Sequence, residues 1–187
     1  MINKRTKLGH TPLWAASYSG HFEVVKFLVE EAEANIHIQS SMQSTPFVIS
    51  CQQGNLEIVK YLRSKDDKLS ETISNVDGYD NDGAKCLHMA CLNGHLDIVD
   101  YILNLFPTLI DIRNQFGQSP LWLASHNGSF EVVKHLIDKG AEIDVYSQGL
   151  DAKTIIGESP LIPSCKGKIM LNLQCSSIHN VIPIVNQ

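Results

Sequence analysis

Thr11-Pro12-Leu13-Trp14-Ala15-Ala16 decides the reading of this chain, because the segment comes back. Its positions are refilled by Thr45-Pro46-Phe47-Val48-Ile49-Ser50, by Lys85-Cys86-Leu87-His88-Met89-Ala90 and by Ser119-Pro120-Leu121-Trp122-Leu123-Ala124. A fainter echo stands at Ser159-Pro160-Leu161-Ile162-Pro163-Ser164, and successive copies start 34, 40, 34 and 40 residues apart. Self-similarity at such a period marks stacked repeats rather than one globular core.

One copy can be read from its chemistry. Thr11 suits the N-cap, where a hydroxyl accepts from free amides of the first turn. Pro12 takes the first helical position, where a missing N–H costs nothing. Leu13, Ala15 and Ala16 make a short helix whose small side chains let a neighbour approach, and Gly20 ends it in a left-handed turn. In the following run Phe22, Val25, Leu28 and Val29 fall on one face while Glu23, Lys26 and Glu30 point away. The other copies repeat this run from Gly54, Gly94 and Gly128. Two helices of this length cannot bury both faces alone, so the copies must stack.

The pattern resembles the ankyrin repeat, with its T-P-L-H-x-A opening, G-H turn, amphipathic second helix and G-A step, here Gly140-Ala141. The resemblance covers roughly residues 6–146. It implies an all-α ankyrin-repeat solenoid of stacked helix-turn-helix units, with loops or β-hairpins projecting from one edge. Trp14-Ala15-Ala16-Ser17 ahead of Gly20-His21 is also similar to repeats of Fem-type substrate receptors, over too short a stretch to carry a function. The expected organisation is repeats at about 6–39, 40–72, 80–113 and 114–146 within an array over 1–153. Inserts fall near 73–79 and 147–153, and 154–187 hold a degenerate fifth copy and a tail.

Departures from the pattern carry their own expectations. Lys85-Cys86 replaces Thr-Pro, removing both cap and proline, so the third copy should have the weakest helix start. Pro163 breaks the fifth copy's first helix. Val181, Ile182, Ile184 and Val185 read either as a strand or as part of a disordered tail. Both ends of the array are poorly closed. Leu13 and Ala16 at one end, and Leu136 and Ile137 at the other, belong to faces a neighbour normally covers, which predicts association with, or continuation into, further repeats.

Composition narrows the function. Apolar residues make up 43 % of the chain, enough for a packed core, and the formal charge is −5. A net-acidic surface is a poor default partner for phosphate backbones or anionic lipid, so neither nucleic acid nor membrane is expected. No apolar run approaches the roughly 20 residues of a membrane span. Met1-Ile2-Asn3-Lys4-Arg5 lacks the apolar centre of a secretion signal. The five cysteines (Cys51, Cys86, Cys91, Cys165 and Cys175) then read as reduced, mostly buried thiols of an intracellular protein, cytoplasmic or nuclear.

No catalytic set emerges. The glycines are spaced by the repeat and end helices, so they form no phosphate cradle. His21, His88 and His95 recur with the period and read as structural, bonding helices to loops. Metal-ligand spacing is absent, and no cofactor, metal or catalytic residue is expected. Trp14 and Trp122 share one position and either fill space between repeats or edge into the groove as anchors.

The family's binding surface combines loop tips with the exposed side of the first helix. Carried onto matching positions, it takes Lys7, Leu8, His10, Tyr18 and Ser19 in the first copy, and Ser41, Met42, Ser44, Gln52 and Gln53 in the second. Asn81, Asp82, Ala84, Leu92 and Asn93 follow in the third, then Gln115, Phe116, Gln118, His126 and Asn127 in the fourth. Tyr18, Leu92 and Phe116 fall in variable positions, so stacking does not require them. A mostly uncharged set with an aromatic or aliphatic residue in every copy fits a protein or peptide partner. The expectation is a protein–protein interaction module using Leu8, His10, Trp14, Tyr18, Met42, Gln52, Leu92, Asn93, Phe116, Trp122 and His126. The alternative is the substrate-recognition part of a larger adaptor, a ubiquitin-ligase receptor or a pathogen effector.

Overall fold

A computed structural model describes residues 2–66 and 82–143 of the chain. Among them eight α-helices form four helix-turn-helix pairs: α1 (Pro12–Tyr18) with α2 (Phe22–Glu30), α3 (Pro46–Gln53) with α4 (Leu56–Ser64), α5 (Asp82–Asn93) with α6 (Leu96–Leu105), and α7 (Pro120–Asn127) with α8 (Phe130–Asp138). A single 3-10 turn, Pro107–Leu109, follows α6. The expected inserts at 73–79 and 147–153, and the degenerate copy and tail at 154–187, lie outside the described residues.

The helices start where their caps allow. Thr11, Thr45 and Ser119 accept through their hydroxyls from the amides of Trp14, Val48 and Trp122, at 3.1, 3.3 and 3.1 Å. Each cap precedes a proline at the first helical position. Second helices bury a 3.6-residue stripe, as in Val25 and Leu28, Val59 and Leu62, Val99 and Ile102, or Val133 and Leu136. Each such side chain taken from water contributes about 1.5–3 kcal/mol. The first helices pack on one another more closely than the second helices do, which makes them the tighter, inner row of the stack. Ala16, Ala90 and Ala124 on that row are buried.

The turn glycines serve neighbours as well as their own helices. Gly54 has φ +80°, and a Cβ there would come within 2.7 Å of His95 in the next repeat. Asn55 Nδ2 donates to the carbonyl of Ser17 at 3.0 Å, and His95 Nε2 lies 3.0 Å from the carbonyl oxygen of Gln52. His88 is buried, with Nε2 2.9 Å from the carbonyl oxygen of Ile112. Thus His88 and His95 bond across elements, whereas His21 is exposed at the first repeat's outer end.

Among the described residues the projecting loops take the form of tight turns rather than strands. Thr6 and His10 close one, Ser40 and Ser44 a second, and Asn114 and Gln118 a third, each by a backbone bond from the first residue's amide to the last residue's carbonyl. Neighbouring turns are joined by Ser41 donating to the carbonyl of Leu8 at 3.0 Å.

Three expectations are corrected. Cys51 and Cys86 are not reduced thiols: they form a disulfide between α3 and α5 with Cα atoms 5.3 Å apart, a separation that suits such a bridge. Cys91 remains a free, buried thiol, its pKa pushed well up by burial. The third copy does not start its helix at the Lys85-Cys86 position; α5 already includes Asp82, where the described residues resume, so the positions expected at a loop tip, Asp82 and Ala84, are helical and Ala84 is buried. Leu13, Ala16 and Leu136 are buried within the stack and Ile137 is half-buried, so these residues do not form its open faces.

Candidate functional site

The inner row and the loop tips are built from the same two devices, short helices and tight turns. Leu8, Met42 and Phe116 occupy one equivalent turn position in three copies, and all three are exposed. The equivalent residue of the third copy is Asp82, half-buried in α5, where its carboxylate accepts from the Thr45 hydroxyl at 2.8 Å. Burial holds the Asp82 carboxyl above its usual range, with the Thr45 bond opposing that shift.

Aromatic rings line the first and fourth copies. His10 stacks on Trp14 with centroids 3.7 Å apart and planes 3° from parallel, and Trp14 stacks on Tyr18 at 5.4 Å and 12°. Residues four apart lie above one another on a helix, so Trp14 and Tyr18 continue a ladder that His10 begins from the turn. In the fourth copy Trp122 stacks on His126 at 4.9 Å and 9°. Trp14 and Trp122 are half-buried, whereas Tyr18 and His126 are exposed. Trp14 Nε1 is buried with no hydrogen-bond acceptor, a cost that a purely space-filling phenylalanine would avoid.

The remaining expected residues divide. Asn93 is exposed, and its Nδ2 donates to the carbonyl of Met89 at 2.8 Å. Gln52 is half-buried, and its backbone carbonyl is already committed to His95. Leu92 is half-buried against the core, so its side chain does take part in packing, contrary to the expectation from its variable position. The structure therefore gathers Leu8, His10, Trp14, Tyr18 and Met42 around the first two copies, and Phe116, Trp122 and His126 around the fourth.

An open depression lined by Gly94, His95, Leu96, Asp97, Asp100 and His135 lies on the side of the second helices instead. There the Asp100 carboxylate sits 3.0 Å from Lys139 Nζ and 3.1 Å from His135 Nε2, and its pKa is lowered chiefly by the Lys139 bond. These contacts hold two repeats together. Among the described residues no group of three or more His, Cys, Asp or Glu could hold a metal ion, and no helix is long and apolar enough to cross a membrane.

The family model described as ankyrin repeats (3 copies) matches residues 1–72 and 67–147. The chain belongs to the ankyrin-repeat family. Ankyrin-repeat modules bind proteins, and their fold is a scaffold rather than a catalytic one. The chain is 29 % identical over 144 residues to the probable 26S proteasome regulatory subunit p28 of Saccharomyces cerevisiae, covering 75 % of this chain and 60 % of that protein. It is 31 % identical over 139 residues to an ankyrin repeat and KH domain-containing protein of Caenorhabditis briggsae, covering 73 % and 5 %. To the putative E3 ubiquitin-protein ligase XBAT31 of Arabidopsis thaliana it is 27 % identical over 154 residues, covering 75 % and 32 %. It therefore spans less than two thirds of the length of each of these relatives.

The turn-tip hydrophobics and the paired tryptophans were visible as positions in the sequence. The ring ladders were not, because stacking depends on side-chain rotamers that spacing alone does not define.

Proposed function

We propose that this ankyrin module binds a protein or peptide along its inner row, with the turn tips closing over the partner. One observation carries the reading: Leu8, Met42 and Phe116, in one turn position of three repeats, are all exposed although packing gives them no role. Scattered exposed hydrophobics are ordinary, but their recurrence at one edge beside two aromatic ladders is a surface suited to hot-spot contacts. The surroundings are mostly uncharged, as the centre of a protein interface is.

Selection of binders from a displayed random-peptide library, followed by the Tyr18→Ala/Phe116→Ala double variant, tests this. Loss of the selected peptides by a variant of unchanged circular dichroism supports the reading. A panel of peptides that bind the variant as well as wild type would overturn it.

A second reading has the same surface selecting clients for a larger adaptor. It is favoured by the similarity to two plant proteins described as putative or probable E3 ubiquitin-protein ligases. Co-purification with ubiquitin-conjugating activity, lost in the same double variant, distinguishes it from simple binding. A cytoplasmic or nuclear location is part of this proposal, in keeping with an adaptor role. The Cys51–Cys86 disulfide weighs the other way, since such bridges are rare in reducing compartments. Alkylation trapping of these thiols in intact cells decides between the two.

A further inference from the structure

Among the described residues, carboxylates avoid the inner row. Each second helix opens on an exposed acid, Glu23, Glu57, Asp97 and Glu131 in turn. The inner helices α1, α3 and α7 hold none. Nor do the turns over 6–10, 40–44 and 114–118. In α5 the one acid is Asp82, and its carboxylate is committed to the Thr45 hydroxyl. Asp111, ahead of the third turn, accepts instead from the Glu142 amide at 2.9 Å. The acids between 67 and 81 lie outside the described residues. A chain of formal charge −5 thus places its acids on the second helices and keeps them off its inner helices and turn tips.

Cations stand at one end of that side. Arg5 donates to the carbonyls of Gly9 and Gln39, tying the first turn to the segment that enters the second. Lys4 and Lys7 are exposed, and their side chains make no ion pair among the described residues. Lys7 adjoins Leu8, the exposed hydrophobic of that turn, and His10 opens the ring ladder two residues on. Charge and apolar contact therefore sit along one edge. The ladder carries the same sign. Trp14 is stacked between His10 and Tyr18, so its ring offers a partner its edge rather than its faces. An aromatic edge is the positive end of the ring quadrupole, which suits an oxygen acceptor.

Building on the peptide-binding reading above, we propose that the occupant of this end of the inner row is an acidic peptide. Its carboxylates lie against Lys4 and Lys7, and an apolar residue among them sits beside Leu8 and the His10–Trp14–Tyr18 ladder. Opposite charge at the rim steers such a peptide in and rejects a basic one, while the rings and Leu8 supply the contact area. Two free lysines on a net-acidic chain are too few for a phosphate backbone, whose binding grows with each phosphate neutralised.

The test takes peptides that the full chain selects from the displayed random library and that the Tyr18→Ala/Phe116→Ala variant loses. Each is remade with Asn and Gln in place of Asp and Glu, and both forms are titrated by fluorescence anisotropy. The selected peptides should be net-acidic, and their amide forms should bind about tenfold more weakly, the range of two exposed charge pairs. Lys4→Glu/Lys7→Glu, with circular dichroism unchanged, should weaken the acidic forms by about tenfold or more and leave the amide forms nearly as they were. Neutral or basic selected peptides overturn the acidic occupant while peptide binding itself stands. Equal affinity of the two forms, or acidic forms indifferent to the lysine variant, has the same consequence. Peptides that the Tyr18→Ala/Phe116→Ala variant still binds sink both readings together. A single-stranded oligonucleotide that displaces the acidic peptides at their own concentration gives the face to nucleic acid and overturns the proposal equally.

Discussion

Cys51 and Cys86 join neighbouring repeats by a disulfide between residues 35 apart in sequence, and both are fully buried. Cys86 takes the position that Pro12, Pro46 and Pro120 hold in the other copies. Cys51 takes the buried position of Ser17, Cys91 and Ser125. The repeat that lost its cap and proline is thus tied covalently to the one before it.

That bond should be a measurable part of the stability. Closing a loop of this length contributes about 2–4 kcal/mol. Urea unfolding of the wild type should shift to lower midpoint when a dithiol reductant is added, whereas the Cys51→Ser/Cys86→Ser variant should not respond to the reductant. Coincident wild-type curves with and without reductant would show that the bond adds nothing. Cys91 should stay unreactive to a thiol reagent until the protein unfolds, because it is buried and its thiolate is strongly disfavoured.

What the sequence made legible follows from what repeats. Thr11, Thr45 and Ser119 each cap a helix, and Gly20, Gly54 and Gly128 each take a positive φ, because local chemistry alone demands it. The disulfide was hidden since it pairs two different positions of adjacent repeats, and only the diagonal contact of α3 with α5 brings them together. The open end was misplaced for a related reason. Helical periodicity separates the buried side of α2 from its solvent side but does not say which flank meets the next repeat and which the previous one. Val24 and Phe27 lie on the latter flank. The third turn failed because Asp82, Gly83 and Ala84 extended the following helix once Thr-Pro no longer marked its start.

Two glycines separate backbone strain from contact between repeats. Gly54 and Gly128 have similar φ, +80° and +74°, but a Cβ on Gly54 would meet His95 at 2.7 Å while one on Gly128 would meet nothing within 4 Å among the described residues. Gly128→Ala should cost about 1–2 kcal/mol, the price of a left-handed conformation alone. Gly54→Ala should cost more, because His95 must also move and release the Gln52 carbonyl. Equal losses by thermal unfolding would mean that the close approach is not tight.

His88 sets one arm of the pH dependence. Burial lowers its pKa below the ordinary 6.5, so the neutral ring is the folded form and the unfolded chain binds the extra proton. Its contribution is therefore complete above pH 6.5 and is lost as pH falls from there toward the depressed folded value. His88→Gln keeps a donor for the Ile112 carbonyl but cannot titrate. The stability difference between wild type and this variant should change between pH 7.5 and pH 5, with wild type losing more. A difference that stays constant over that window would show that His88 is not the titrating group.

The inner row and the core make opposite demands on the same experiment. Leu136 is fully buried in α8, and Leu136→Ala should cost about 2–5 kcal/mol through the lost transfer energy and the cavity left behind. Tyr18 and Phe116 are exposed, and replacing both by alanine should leave stability within about 0.5 kcal/mol of wild type. The Tyr18 replacement removes one end of the His10–Trp14–Tyr18 ladder, so a larger loss there would reveal the ladder as a stabilising stack rather than a contact surface. For binding the order reverses: the double variant should weaken partner affinity by about 2 kcal/mol or more, the cost of losing hot-spot aromatics. Below its melting point Leu136→Ala should bind almost as wild type does, because its side chain is fully buried in the core and offers no surface to a partner. If Leu136→Ala lost affinity while still folded and the double variant kept it, the partner would sit on the second helices.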